Sequence, residues 1–277
     1  MPRRRAVSRK RSRSRSLLAV IALALLAAIP SAMPASAAST ESTTAKPTVV
    51  LIHGAFADAS AWNGVISRLQ KDGYPVIAPA NPLRSLSGDS AYIKSVLEQT
   101  PGPLVVVGHS YGGAVITNAA AGNTNVRALV YVDAFLPAVG EKTVDLGGAD
   151  SELPTAIEFK AFPPFGPSDV DIYLKKDRLR AVFAADVSPK TAASMWATQR
   201  PLAAVTGAEP TAAEAWRAIP SWAVIGRQDR TITPDALRSM ATRAHAHIVE
   251  INSSHVPMIS HPDAVTDVIE RAAEATD

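Results

Sequence analysis

A serine enclosed by glycines, Gly108-His109-Ser110-Tyr111-Gly112, lies between the apolar run 104–107 and a helical small-residue stretch, 114–121. A strand that enters a helix through so sharp a turn lifts the serine hydroxyl into the open. The flanking glycines let the backbone pack through the strained turn, and the helix start beyond it favours developing negative charge. The pattern points to nucleophilic chemistry at Ser110. The plain alternative is an incidental serine in a Gly-rich turn, and the strand before it and the helix after it argue against that.

A serine hydroxyl needs a base, and six histidines are available. His53 and His109 sit in or beside glycine turns and read as loop-shaping. His245 and His247 flank the start of a strand and read as surface residues, and His261 precedes Pro262 at a helix start, a capping position. His255, in Asn252-Ser253-Ser254-His255, follows the last strand. Active groups of open α/β sheets gather in such loops at the carboxyl ends of strands. Two acids follow strands and satisfy the order Ser…Asp…His: Asp133 and Asp229. Asp229 has the stronger context, a short loop between a buried strand and a helix with Thr233 as N-cap and Pro234 at its first position. An exposed carboxylate paired with Arg227 or Arg230 is the alternative there. Two backbone N–H groups must meet the oxyanion. Tyr111, directly after the serine, supplies one, and Ala55, in His53-Gly54-Ala55-Phe56, supplies the other.

The elements around these residues alternate. Apolar runs at 48–52, 76–78, 104–107, 128–132, 222–225 and 247–251 read as strands buried on both faces, with helical patterns between them and a last helix from Pro262. Strands alternating with helices imply βαβ units and a parallel sheet. The rhythm breaks over 136–220, rich in proline and aromatics, where helices are expected near 169–185, 189–198 and 211–218. The expected architecture is one α/β domain over 48–277 with a mostly helical cap inserted at about 136–220.

Composition bounds the setting. The chain has 277 residues, a net charge of +3 and no cysteine, so disulfides and C-x-x-C metal or redox sites are excluded. Eight of the 28 basic residues fall in the first sixteen positions, ahead of a thirteen-residue apolar run, 17–29, and the A-x-A signal Ala35-Ser36-Ala37. That order is a secretory signal peptide. Its apolar run is shorter than the roughly 20 residues a membrane span needs, so no membrane anchor is expected to remain after cleavage. With cleavage after Ala37 the mature protein is secreted, begins with a flexible linker, 38–47, and is acidic. A nucleic-acid partner is therefore not expected.

The set Leu51-Ile52-His53-Gly54-Ala55, Gly108-His109-Ser110-Tyr111-Gly112-Gly113, Asp229 and His255 resembles the α/β-hydrolase superfamily over nearly all of 48–277. Within it the chain is similar to small esterases related to plant methylesterases and hydroxynitrile lyases. The resemblance implies an eight-stranded, mostly parallel sheet, a cap after the sixth strand, and no metal or organic cofactor. It also implies Asp229 rather than Asp133, because the usual acid follows the seventh strand. Epoxide hydrolases and haloalkane dehalogenases carry aspartate where Ser110 stands. Plant hydroxynitrile lyases carry a threonine matching Gly54 and a lysine matching Val256, and lipases of the HGGG type need more glycine than 53–56 offers. Ester hydrolysis through an acyl-enzyme on Ser110 remains, with a lyase or a catalytically silent small-molecule binder as alternatives. The cap aromatics Phe159, Phe162, Phe165, Phe183, Trp196 and Trp216 suggest an apolar pocket for small to medium uncharged esters. About half of them are expected only to glue the cap to the sheet, since aromatics dominate core burial.

Overall fold

In the computed structural model, residues 46–162 and 169–276 are described. The leader, the linker up to residue 45 and Phe165 therefore lie outside the described residues. The strands are β1 Thr48–Ile52, β2 Val76–Ile77, β3 Leu104–His109, β4 Val126–Val132, β5 Ile157–Ala161, β6 Val170–Leu174, β7 Leu202–Ala203, β8 Ser221–Gly226 and β9 His247–Ile251. The helices are α1 Asn63–Lys71, α2 Leu86–Gln99, α3 Tyr111–Ala119, α4 Leu153–Ala156, α5 Lys176–Val182, α6 Pro189–Thr198, α7 Val205–Ala208, α8 Pro234–Arg243, α9 Pro257–Ser260 and α10 Pro262–Glu274.

Six strands form one parallel sheet in the order β2-β1-β3-β4-β8-β9. Every residue of β3 and β8 is buried. That requires continuous apolar sequence because helices cover both faces of a parallel sheet. Each such valine or leucine contributes roughly 1.5–3 kcal/mol relative to exposure. Helix α1 packs with α10, and α2 with α3. The register aligns the strand ends: Ile52 pairs with Gly108, His109 with Val132, Val132 with Val224, and Gly226 with Ile251. The loops that start at residues 53, 110, 133, 227 and 252 therefore leave one edge of the sheet together.

Two expectations are corrected. The main sheet has six strands among the described residues, not eight. These six are the runs that read as strands in the sequence; the larger number came from the resemblance alone. The insertion follows β4, and besides its helices it holds an antiparallel sheet of three strands, β5, β6 and β7, that was not expected. The expected helix at 169–185 is in fact β6 followed by α5. Val170, Ile172 and Leu174 alternate along β6, and its polar member Asp171 is buried against Arg84 at 2.7 Å. Helix α6 matches its expected span, whereas 211–218 holds only a short 3-10 turn, Ala215–Arg217.

Candidate active site

Ser110 stands between β3 and α3 with φ 52° and ψ −123°, a left-handed conformation that L side chains rarely adopt. Close backbone packing enforces it. A Cβ on Gly108 would lie 2.6 Å from the Gly112 carbonyl oxygen, and one on Gly112 would lie 2.6 Å from that of Ile52. The glycines of the motif are thus needed for contact with each other and with β1. Ser110 N–H donates to the Val132 carbonyl at 3.2 Å, which fixes the turn against β4.

His255 reaches this serine from 145 residues further along the chain. Its Nε2 lies 2.8 Å from Ser110 Oγ, and its Nδ1 lies 2.6 Å from Asp229 Oδ2. Nδ1–H therefore donates to the carboxylate, which leaves Nε2 to accept the serine proton. The Asp229 Oδ1 accepts the N–H groups of Thr231 at 2.7 Å and Ile232 at 3.1 Å. Neither Arg227 nor Arg230 holds Asp229. Arg227 pairs with Glu250 and Arg230 with Glu152. His255 is fully buried, with the rings of Phe183 and His109 each 4.9 Å away. Burial pushes its pKa below the ordinary imidazole value.

The other histidines divide as their contexts suggest, with one exception. His53 Nε2 accepts the Asn81 N–H at 2.9 Å while Nδ1–H donates to the Gly54 carbonyl at 2.9 Å, which ties down the loop after β1. His109 Nε2–H donates to the His255 carbonyl at 2.8 Å. Burial lowers the pKa of both rings. His245 and His247 are exposed. His261 makes no side-chain cap of α10; its Nδ1 meets Ser260 Oγ at 2.9 Å. Proline at the first helical position has already removed one of the donors a cap would serve.

The two N–H groups expected to face an oxyanion are both open. Tyr111 begins α3, so its N–H lies outside the intrahelical ladder. Its side chain is anchored elsewhere, with the phenol donating to Asp89 at 2.8 Å. No acceptor among the described residues takes the Ala55 N–H, whereas the next one, Phe56, donates to the Arg200 carbonyl at 3.1 Å. The insertion touches the site again at Asp186, whose carboxylate accepts the Ser254 N–H at 3.0 Å and the Ser254 hydroxyl. Asn81, Asp186 and Arg200 were not visible as site residues in the sequence. Arg200 acts through its carbonyl, which has no side-chain signature.

Beside Phe56, a cavity of about 270 Å³ opens between the loop after β1, α6 and α9. Phe56, Ala57, Met195, Thr198, Met258 and Ile259 contribute to its wall. Asp58, the one acid lining it, accepts the Ser60 N–H at 2.7 Å. Of the cap aromatics, Phe183 packs on His255, and Trp216 is buried with its N–H on the Pro137 carbonyl at 3.0 Å. Trp196 is half-buried and donates to the Leu174 carbonyl at 3.2 Å, while Phe159 is 63% exposed. Phe162 lines a separate cavity beside Arg84.

A parallel sheet with helices on both faces, an insertion after β4 and a Ser–His–Asp array across the strand ends together define the α/β-hydrolase fold. The chain belongs to the alpha/beta hydrolase family, which it matches over residues 49–268. It is 28% identical over 253 residues to the alpha/beta hydrolase nvfD of Aspergillus novofumigatus, covering 82% of this chain and 97% of that protein. It is 25% identical to the pyrethroid hydrolase of Sphingobium wenxiniae, covering 82% and 88% respectively. The solved structure of a methylesterase from Arabidopsis superposes with a TM-score of 0.69 at 16% identity, covering 83% of this chain and 99% of that one.

Proposed function

We propose that this protein is an exported serine esterase acting on small to medium uncharged carboxylic esters. The observation that carries the reading is the continuous hydrogen-bond relay from Ser110 Oγ through His255 to Asp229. Ser110 Oγ attacks the ester carbonyl as its proton passes to His255 Nε2. Negative charge that develops on the carbonyl oxygen is met by the N–H groups of Ala55 and Tyr111. Collapse of the tetrahedral intermediate breaks the carbon–oxygen bond, and the imidazolium returns the proton to the departing alkoxide. Water then attacks the acyl-enzyme with His255 again as base, releasing the acid and restoring Ser110. Asp229 holds the tautomer and stabilises the imidazolium.

The cavity that starts at Phe56, one residue after Ala55, supports the substrate class by its make-up; Ser110 and His255 are not among its lining residues. It is largely apolar, with its single carboxylate already engaged, and pockets of that make-up take uncharged organic groups. The pyrethroid hydrolase and the methylesterase among the similar proteins fit the same class. The basic, apolar and A-x-A segments of 1–37 support export. A panel of esters, lactones, thioesters and a cyanohydrin, run beside a serine-directed phosphonate, tests the activity. Acid release from esters with phosphonate on Ser110 is expected. Release of aldehyde from the cyanohydrin without ester cleavage would make the protein a lyase, and no adduct at all would make it a binder. Recovery of the protein outside the cell with Ala38 at its N-terminus tests export.

A further inference from the structure

His255 has two carboxyl groups beside it, and the relay uses only one. Asp133 leaves the end of β4 with φ 40° and is fully buried. One oxygen each of Asp133 and Asp229 and one ring nitrogen of His255 all lie within 4.8 Å of one another. Asp133 Oδ1 accepts the Gly226 N–H at 2.5 Å, and its Oδ2 has no partner among the described residues. A non-glycine residue held in the left-handed region, with a buried and unsatisfied carboxyl oxygen, is costly twice over. Packing alone accounts for neither cost.

Hydrogen bonding decides how the pair shares charge. Two carboxyls this close in a buried site do not both ionise. Asp229 receives three donors: Thr231 N–H, Ile232 N–H and His255 Nδ1–H. Asp133 receives one. The negative charge rests on Asp229, and Asp133 stays protonated, pushed up by burial and by the charge of Asp229, with Asp186 adding to it. The other titratable ring against His255 is His109, which burial keeps neutral.

We propose that Asp133 is a reserve positioning acid for His255, and that the two carboxyls hold one negative charge which moves to Asp133 when Asp229 is neutralised. The inference rests on the reading of His255 as the base. Neutralising Asp229 leaves Asp133 buried but removes the adjacent charge, the larger of the two charges that hold its proton, so the pair's one negative charge then falls to Asp133, beside the ring. Asparagine is isosteric at both positions, and its amide oxygen still accepts the Gly226 N–H, or those of Thr231 and Ile232, so the variants keep their backbone anchors.

The test compares Asp133→Asn, Asp229→Asn and the double variant. With ester substrate, Asp133→Asn should fall the least. Asp229→Asn should lose about 10–100-fold in kcat, and the double variant about 10⁴-fold, the loss seen when a triad lacks its only acid. A second readout needs no turnover: NMR titration of the His255 ring. A carboxylate within reach raises an imidazole by about 1–3 pH units. The ring midpoint of Asp229→Asn should therefore stay near wild type, while that of the double variant drops by such an amount. Absence of ester hydrolysis with this titration pattern intact would refute the esterase reading and leave the carboxyl pair standing. Asp229→Asn matching the double variant in ring titration would overturn the proposal.

Discussion

Gly112→Ala offers a direct test of whether the turn at Ser110 is built by backbone contact. The added methyl would stand 2.6 Å from the Ile52 carbonyl oxygen and 3.0 Å from that of His53. Carbon and oxygen at rest stay well beyond 3 Å apart, and both neighbours are backbone at the end of a fully buried strand. Neither can swing aside, so α3 must shift from β1 by several tenths of an ångström. Overpacking of this kind costs about 1–3 kcal/mol, which for a domain of this size is a fall of roughly 2–12 °C in Tm. Gly207→Ala is the control, because its Cβ would find nothing nearer than 3.6 Å within α7. There alanine stabilises by about 0.4–1 kcal/mol through the unfolded chain, so the two changes should move Tm in opposite directions. Scanning calorimetry with an ester assay reads both. A Gly112→Ala protein as stable and as active as wild type would refute the steric account of the elbow.

Ser110→Ala should stay folded and lose about 10⁶-fold in kcat, whereas Ser110→Gly, which relieves the positive φ, should be equally inactive and more stable by about 1 kcal/mol; retained turnover in pure Ser110→Ala ends the serine mechanism. Because burial lowers His255, the acid limb of kcat/KM should fall below the free-imidazole value of about 6.5, and a limb at or above neutrality contradicts this. His53, His109 and His255 are all lowered in the folded state, so stability is fully present above about pH 6.5 and is lost as pH falls from there. Each costs up to about 1.4 kcal/mol per pH unit, opposed by the carboxyls that burial raises, Asp89 and the Asp133–Asp229 pair; urea melts at pH 7 and 5 check the sign. Among p-nitrophenyl esters from acetate to palmitate, kcat/KM should peak at short chains, and a steady rise to palmitate with activation at an oil interface points to a lipase.

What could be read from the sequence follows from how each part is buried. All six strands of the main sheet were visible because covering both faces forces unbroken apolar runs such as Val49–Ile52. The insertion's strands were not. β5 and β6 are only five residues each, too short for their alternation to stand out inside a segment rich in proline and aromatics. Helix α2 begins at Leu86 because Ser85 caps it by accepting the Gly88 N–H, at a spot that looks like loop in the sequence. Ser110, His255 and Asp229 were legible because their side chains meet and each follows a strand. Asp133 was legible only as the alternative to Asp229; that both acids sit beside His255 depends on the register of β4 against β8.

Among the places where the insertion grips the site are two that matter for redesign, the Arg200 carbonyl on Phe56 N–H and the Asp186 carboxylate on Ser254. One mooring lies beside the Ala55 N–H and the other directly precedes the base. Exchanging residues 136–220 with a relative would therefore swap more than wall lining. A graft that changes chain length ahead of 186 or 200 would slacken both lines and lower turnover even with a well-shaped new pocket. A single change at Met195, on the α6 wall and a full helical turn from Arg200, leaves them taut. Redesign of substrate range in this scaffold is better done by recolouring α6 than by transplanting the whole cover.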